Sequence, residues 1–387
     1  MEKVVLLKCT TYDVDIIESK IREGFELLGG DEYLRKLIPK GSKVLLKPNL
    51  LSVENAGSPV VTHYKTFEAV IRIIKDYSND IHFGDSPGFG DSRKAAEKCG
   101  LMEVADRYGV IFEDFKDSIH LKLDNAILCK SWTVARAPYE ADVLISLPKI
   151  KTHAMAYFTG AVKNQFGCVP GSMKASWHAR MPEAHNFCKM LLDLNTVVNT
   201  SFAILDGIVA MEGNGPKNGT PVQLNTLIMG ESLTAVDSTA VRIIGYDNPL
   251  DIPTLKEAYD AKWGTVLTKD IQVLGEKVED MKAKSFKKIR NGGSFYFVNP
   301  GVTKFLRGCI APNPTLISDK CIGCKRCYEV CPEKPRVITM VKVDGKLSPQ
   351  WNMKNCIRCF CCQELCPEGA IETKYRTLGR ILKMDKR

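Results

Sequence analysis

The sequence predicts an α/β fold: a mainly parallel sheet covered by helices on both faces, followed by a small α+β module. Three observations predict it. Apolar stretches of strand length alternate with stretches of helical period from Met1 to Ile244, the pattern of successive βα units. Strand-length runs such as Val143-Leu-Ile-Ser-Leu147 lack polar alternation, as strands buried on both faces do. Cysteine is concentrated near the other end, with nine of 15 lying between Cys321 and Cys366.

Taken in order, residues 1–8 read as a strand. Residues 15–28 read as an amphipathic helix, with Ile16, Ile17, Ile21, Phe25 and Leu28 near a 3.6-residue period and Gly29-Gly30 as its stop. Residues 43–46 are a short strand running into Lys47-Pro48-Asn49-Leu50. A helix follows His63, carrying Phe67, Val70, Ile71, Ile74 and Tyr77 on one face. Residues 81–83 form a strand ending in Gly84-Asp85-Ser86-Pro87-Gly88. Helix 93–108 is interrupted near Gly100, and 110–112 is again strand. Strand 142–147 ends in Pro148-Lys149-Ile150-Lys151-Thr152-His153. Helix 182–198 has the apolar stripe Phe187, Met190, Leu191, Leu194 and Val197. Strand 202–205 ends in Asp206-Gly207, strand 224–229 follows, and 234–244 is helix. The expected organisation is an α/β domain over 1–274, a Lys-, Gly- and Pro-rich connection over 275–315, a cysteine module over 316–374 and a basic tail over 375–387.

At 387 residues the chain is long enough for two or three domains, with apolar and charged fractions (44% and 26%) ordinary for a soluble globular protein. No stretch reaches the ~18 apolar residues of a membrane span. The first eight residues are too short an apolar run for a signal peptide. The six cysteines outside the module, and Cys361 within it, show no disulfide-framework spacing, which points to a reducing cytoplasm. The formal charge of +9 raises nucleic acid or a membrane surface as a partner. No nucleic-acid fold signature accompanies it, and thiolates bound to metal would lower the real charge.

The module repeats one pattern twice. Cys321-Ile-Gly-Cys324-Lys-Arg-Cys327-Tyr-Glu-Val-Cys331-Pro332 is followed by Cys356-Ile-Arg-Cys359-Phe-Cys-Cys362-Gln-Glu-Leu-Cys366-Pro367. C-x2-C-x2-C-x3-C-P is the ligand spacing for two [4Fe–4S] clusters, the fourth cysteine of each run serving the other cluster. Cys321, Cys324, Cys327 and Cys366 are therefore assigned to one, and Cys356, Cys359, Cys362 and Cys331 to the other. Paired C-x2-C also suits zinc, but two full copies ending in Cys-Pro favour clusters. Cys361 adjoins Cys362, and spacing selects Cys362. The segment resembles bacterial two-cluster ferredoxins, most closely at Cys366-Pro-Glu-Gly-Ala-Ile371. It departs from them in an extra residue after Cys331 and in a hairpin over 337–348 that turns at Asp344-Gly345.

In open α/β sheets ligands bind beyond the carboxyl ends of the strands, where the polar motifs fall. Lys47 and Asn49 follow one strand, Asp85 another, and Lys149, Lys151 and His153 a third. Lys163 and Asn164 lie in Gly160-Ala-Val-Lys163-Asn164-Gln-Phe-Gly167, with Arg180 and His185 beyond. The expected roles are substrate binding for Lys47, Asn49, Lys149, Lys163, Asn164 and Arg180, and catalysis for His153, His185, Lys151 and Asp85. Histidine titrates near neutrality and guanidinium clamps carboxylate or phosphate. Each has a plainer alternative: a hydrogen-bonded structural histidine, a solvated strand end, an Asp-Ser-Pro-Gly turn. The glycines of Glu212-Gly-Asn-Gly-Pro216 mark a mobile or tightly turned loop, with a phosphate cradle as one option. Cys168 reads as a buried spectator.

Lys47-Pro-Asn49, Gly84-Asp85-Ser86, Leu147-Pro-Lys-Ile-Lys-Thr-His153, Val162-Lys-Asn-Gln-Phe-Gly167, Asp206-Gly and Glu212-Gly-Asn-Gly-Pro216 together resemble the DUF362 family, a domain of unknown function often fused to a ferredoxin module. The resemblance spans roughly residues 40–245 and implies a redox role by architecture. The expected function is a ferredoxin-linked iron–sulfur reductase acting on a small anionic substrate, with an electron donor or acceptor protein as partner. The alternative is a non-catalytic protein passing electrons to a partner enzyme. A flavin or further metal in the α/β domain is left open, since cubanes pass single electrons.

Overall fold

A computed structural model describes residues 1–289 and 313–374, apart from 89, 172, 182, 334 and 344. The basic tail, most of the second half of the connection and Cys309 lie outside the described residues. The strands are β1 (Glu2–Lys8), β2 (Val44–Pro48), β3 (Ile81–Gly84), β4 (Ile111–Glu113), β5 (Ser118–Lys122), β6 (Ser131–Ala135), β7 (Val143–Leu147), β8 (Lys149–His153), β9 (Tyr157–Thr159), β10 (Phe202–Glu212), β11 (Thr220–Gly230) and β12 (Ile271–Gly275) in the large unit. The cysteine module adds β13 (Asn313–Leu316), β14 (Ile338–Val343), β15 (Lys346–Trp351) and β16 (Ile371–Lys374).

The main sheet runs β12-β1-β11-β10-β7-β2-β3-β4, with β8 and β9 attached at β10. Pairs from β10 to β4 are parallel, while β11 is antiparallel to both β1 and β10. The sheet is thus mainly parallel and mixed. Alternate residues of one strand enter different cores: Leu45 and Leu144 join one apolar cluster, Val44, Leu46, Val143 and Ile145 the other. Two-sided burial is the reason these strands read as continuous apolar runs. Helices Val14–Leu28 and Tyr64–Ile74 cover one face; Ala184–Val198 and Leu233–Ile243 cover the other.

Several elements differ from expectation. Gly29-Gly30 does not end the helical region: helix Gly30–Leu37 begins at once, with Gly29 at φ 130° turning the chain between the two. The stretch after Pro148 is not a solvated strand end but a further strand, β8, buried along its whole length. β10 continues past Asp206 to Glu212, through a register shift between Gly207 and Val209. Helix 93–108 is two helices, Ser92–Lys98 and Leu101–Tyr108, joined by Gly100 at φ 86°. The β5–β6 hairpin and helix Pro253–Asp260 had no clear period to announce them.

The expected boundary at residue 274 falls within β12. Residues up to 289 remain tied to the α/β unit, since Lys287 donates its backbone N–H to Glu212 (2.7 Å) and Tyr246 its hydroxyl to Ile289 O (2.6 Å). In the module β13 pairs with β16, and β14 with β15 as the expected hairpin, whose Asp344 lies outside the described residues.

Candidate functional site

β2 leads through β3 to β4 on one side, and the chain then returns to β7 on the other side of β2. The sheet order therefore reverses between β2 and β7, the crevice where doubly wound sheets bind ligands. The last residues of these strands are in register, Lys47 opposite Ser146 and Pro48 opposite Leu147. Here the structure gathers Lys47, Asn49, Asp85, Lys151 and Asn164 into one buried network, with Lys149 beside it.

Lys47 is fully buried and ion-paired with Asp85 Oδ1 at 2.8 Å. Its ammonium also donates to Pro48 O (2.9 Å) and Asn164 Oδ1 (3.3 Å). Asp85 accepts the Leu50 N–H at 2.6 Å, so its carboxylate both neutralises Lys47 and orders the chain leaving β2. Gly167 closes the arrangement: a Cβ there would overlap the Asp85 carboxylate and crowd Lys47 Nζ. Asn164 bridges the strands, accepting from Asn49 Nδ2 (3.0 Å) and donating to Ser146 Oγ (2.9 Å). It is thus part of a core polar network with its partners supplied.

Lys149 and Lys151 share a face of β8, and both are fully buried. Lys149 pairs with Asp206 at 3.0 Å and donates to Tyr12 Oη (2.8 Å) and Val209 O (2.8 Å). Tyr12 in turn donates to Asp206 Oδ1 at 2.9 Å and stacks on His63, ring centroids 3.6 Å apart. Burial pushes the Lys149 pKa down and Asp206 pulls it back. Lys151 differs: its bonded partners are neutral, Asn49 Oδ1 at 2.8 Å and Val60 O at 2.6 Å. Burial first, then the like charges of Lys163 and Lys149, hold its pKa well below the lysine range. A fully buried ammonium bonded only to neutral groups is costly unless negative charge is added.

Residues 50–63 form the strap over this network. Thr62 accepts the Asn49 N–H (2.7 Å) and donates to Leu147 O (2.6 Å), while Val60 supplies the carbonyl on Lys151. The strap is pinned by Glu54, which pairs with Lys217 at 3.1 Å. Its tip, Asn55–Gly57, is exposed.

The other expected residues lie differently. His153 is buried, and its Nδ1 accepts the Met155 and Ala156 N–H groups, both at 3.1 Å, which puts the neutral ring's proton on Nε2. His185 bonds Glu257 on helix Pro253–Asp260. Lys163 lies over the rings of Phe166 and Phe187. Arg180 is exposed and stacked over Trp177, 4.8 Å from its centroid, instead of on the lysine network. Cys168 is fully buried, its thiol pushed up to about 12 by burial, as a spectator would be.

Sequence reasoning missed Tyr12, Ser146, the Val60 carbonyl and Lys174. Lys174 is a buried lysine whose pKa burial lowers to about 7 and whose ammonium meets Val169 O. Backbone acceptors and a lone tyrosine 194 residues from its aspartate leave no local pattern.

In the module, Cys321, Cys324, Cys327 and Cys366 line one cavity. Cys331, Cys356, Cys359 and Cys362 line a second. The crosswise grouping read from spacing thus has its counterpart in space. Gly323 and Lys325, and Arg358 and Phe360, all take positive φ, which curls each C-x2-C loop around its cavity. Four thiols around an otherwise mainly apolar cavity fit a cubane. Cys361 also touches the second cavity but packs into the apolar core of the α/β unit together with Cys359, whereas Cys362 belongs to the module's own cluster.

The second cysteine run is the docked one. Gln363 is fully buried and donates to Asn214 Oδ1 (2.8 Å), Asn214 O (3.2 Å) and Gly215 O (3.3 Å). Asn218 donates to Gln363 O at 3.1 Å. The Glu212–Pro216 glycine loop is therefore a tight platform for the module. Thr152 of β8 holds the same loop, donating to Gly213 O (3.0 Å) and accepting the Gly215 N–H (3.2 Å). One turn of chain thus joins the cysteine run to the strand that carries Lys151.

A family model, "Domain of unknown function (DUF362)", matches residues 44–242, and a "4Fe-4S dicluster domain" matches residues 320–370. A thylakoid-associated protein of Synechocystis sp. is 33% identical over 256 residues, covering 66% of this chain and 78% of that protein. Two solved structures share weaker likeness. The lactate racemase apoprotein of Thermoanaerobacterium thermosaccharolyticum gives a TM-score of 0.39 at 15% identity, over 59% of this chain and 54% of that one. A structural-genomics protein of Thermotoga maritima gives 0.33 at 12% identity, over 56% and 55%. The chain spans about half the length of each.

Proposed function

The chain belongs to the DUF362 family and carries a ferredoxin-type 4Fe-4S domain, which supports iron–sulfur electron transfer; from this premise we propose that it is a reductase acting on a small anion. Cys321, Cys324, Cys327 and Cys366 would hold one cluster, and Cys331, Cys356, Cys359 and Cys362 the other. When bound, each cluster supplies one-electron chemistry at low potential.

The observation that carries the proposal is the shared wall. The loop gripped by Gln363, next to Cys362, is also gripped by Thr152, next to Lys151. On the far side lies a buried set of lysines with fewer carboxylates than ammonium groups. Lys47 has Asp85 and Lys149 has Asp206, but Lys151 is bonded only to neutral oxygens. We assign the anion to Lys151 and Asn49, with entry by displacement of the strap over residues 50–60. An anion there stabilises the charged ammonium, so binding takes up a proton onto Lys151 and weakens as pH rises. That proton sits where a reduced product would need it. His153, close by on β8, is the second proton donor we propose. Arg180 and His185 have no part in this site.

The test is anaerobic. Dithionite-reduced protein is mixed with a panel of small carboxylates, phosphates and oxyanions while the cluster absorbance is followed. At least one anion should reoxidise the wild type, and Lys151→Met should abolish that reoxidation at unchanged iron content. Wild-type protein with full iron that no anion reoxidises would overturn the proposal in favour of a carrier without a substrate. The full internal pairing of Lys47 and Lys149 is the observation on that side. We place the chain in the cytoplasm on its thiol content. No helix among the described residues is long and apolar enough to cross a membrane, and the thylakoid association of its relative makes peripheral contact the alternative.

A further inference from the structure

The strap over the lysine network and the second cysteine run are fastened to the same short loop. On the strap side Glu54 pairs with Lys217 at 3.1 Å, the two side chains being 18% and 13% exposed. Ser52 Oγ donates to the same carboxylate at 2.6 Å. One residue further along the loop, Asn218 donates to Gln363 O (3.1 Å) and Cys366 O (3.5 Å). Gly369 packs on that asparagine, since a Cβ there would meet the Asn218 side chain at 3.1 Å.

A second bridge runs through the turn after β3. Leu51 O accepts the Gly88 N–H at 3.0 Å, and a Cβ on Gly88 would lie 3.7 Å from Leu365 Cδ2. The strap therefore reaches the second cysteine run by two routes, ending at Leu365 and at Cys366 beside it. Its own middle is lightly held. Val53 and the tip Asn55–Gly57 are exposed, and Glu54–Lys217 is the ion pair of this stretch among the described residues. Segments with exposed tips and few tertiary bonds open at low free energy.

We propose that Glu54 and Lys217 form a latch that couples opening of the strap over Lys151 to the seating of the second cysteine run. In the closed state Glu54 holds Lys217, Val60 O accepts from Lys151, and Asn218 grips Cys366 O. In the open state Glu54 and Val60 leave together, and the loop that seats the run loses one of its supports. An anion entering beneath the strap loosens the seat, and a loosened seat eases entry, because coupling between two sites is reciprocal. This rests on the reading that the anion reaches Lys151 by displacing the strap.

The test is hydrogen–deuterium exchange of the anaerobically purified holoprotein, read by mass spectrometry on peptides covering 50–62 and 361–370. Glu54→Gln keeps the shape of the side chain and removes its charge. It should raise exchange at least roughly threefold over 50–62 and at least roughly twofold over 361–370. Iron content, and exchange in helix Val14–Leu28, should match the wild type. Asn218→Ala should raise exchange over 50–62, although the hydrogen bonds it removes go to the module. If that variant loses iron, exchange over 361–370 in Glu54→Gln still decides the matter. A rise confined to 50–62 in Glu54→Gln, with none there in Asn218→Ala, would overturn the coupling. Failure of every anion to reoxidise the reduced protein would instead sink the reductase reading and leave the exchange results standing.

Discussion

Anaerobically purified Cys362→Ala protein is expected to carry about four irons per chain where the wild type carries about eight, whereas Cys361→Ala should keep the full complement. The two cysteines are neighbours on one short helix, Cys361–Glu364, yet face different surroundings. Cys362 has Cys359, Cys356 and Cys327 as its charged neighbours, and burial followed by their charges raises its thiol well above the usual range. Such a site favours a thiolate only when metal supplies the opposing charge. Cys361 packs against the α/β core and lies one residue short of the C-x2-C-x2-C spacing, so alanine there is expected to remove one packed sulfur and no ligand. Iron analysis of the two variants side by side checks this. Half-loss in Cys361→Ala with none in Cys362→Ala would reverse the assignment.

The second large effect is expected at Asp85. Asp85→Ala leaves the Lys47 ammonium fully buried without its counter-charge, and breaking a buried pair from one side costs about 3–5 kcal/mol. The same change frees the Leu50 N–H that the carboxylate now accepts, loosening the start of the strap. Gly167→Ala should be comparably harmful, because its Cβ would occupy the space of the Asp85 carboxylate. Both are read from denaturant unfolding followed by far-ultraviolet circular dichroism. A loss below about 1 kcal/mol in both would mean that the Lys47–Asp85 pair is not the clamp described. The outcome also divides two roles expected of Asp85. Its contacts with Lys47 and the Leu50 N–H are those of an anchor of the network.

What was legible in the sequence follows from what has a local signature. Strands β2, β7 and β10 were recognisable because two-sided burial makes each of them a continuous apolar run, and the cluster ligands because a cubane demands fixed short spacings. The strand-end rule locates Lys47, Asn49, Asp85 and Lys151 from the sequence alone. It did not reveal that they are buried and bonded to one another, since that depends on the strap and on Asn164, 117 residues from Lys47. The burial of β8 is not legible because its lysines suit a solvated strand end, and only the pairing with Asp206 and Asn49 makes a buried lysine strand tolerable. Arg180 and His185 are expected in the site for their chemistry, but helix Met173–Arg180 and helix Ala184–Val198 carry them to Trp177 and Glu257. The glycines at 213 and 215 looked like a ligand cradle. Gly215 allows the close approach to Thr152, whose carbonyl a Cβ would overlap, Gly213 turns the chain at φ 75°, and Gln363 seats the module on the same loop.

The most direct test of the central claim is iron and acid-labile sulfide analysis of the anaerobically purified chain, with electron paramagnetic resonance after reduction. Two clusters held by the eight cysteines predict about eight irons and about eight sulfides per chain, and a reduced spectrum broadened by coupling between neighbouring spins. One or two zinc ions per chain with no labile sulfide would contradict it.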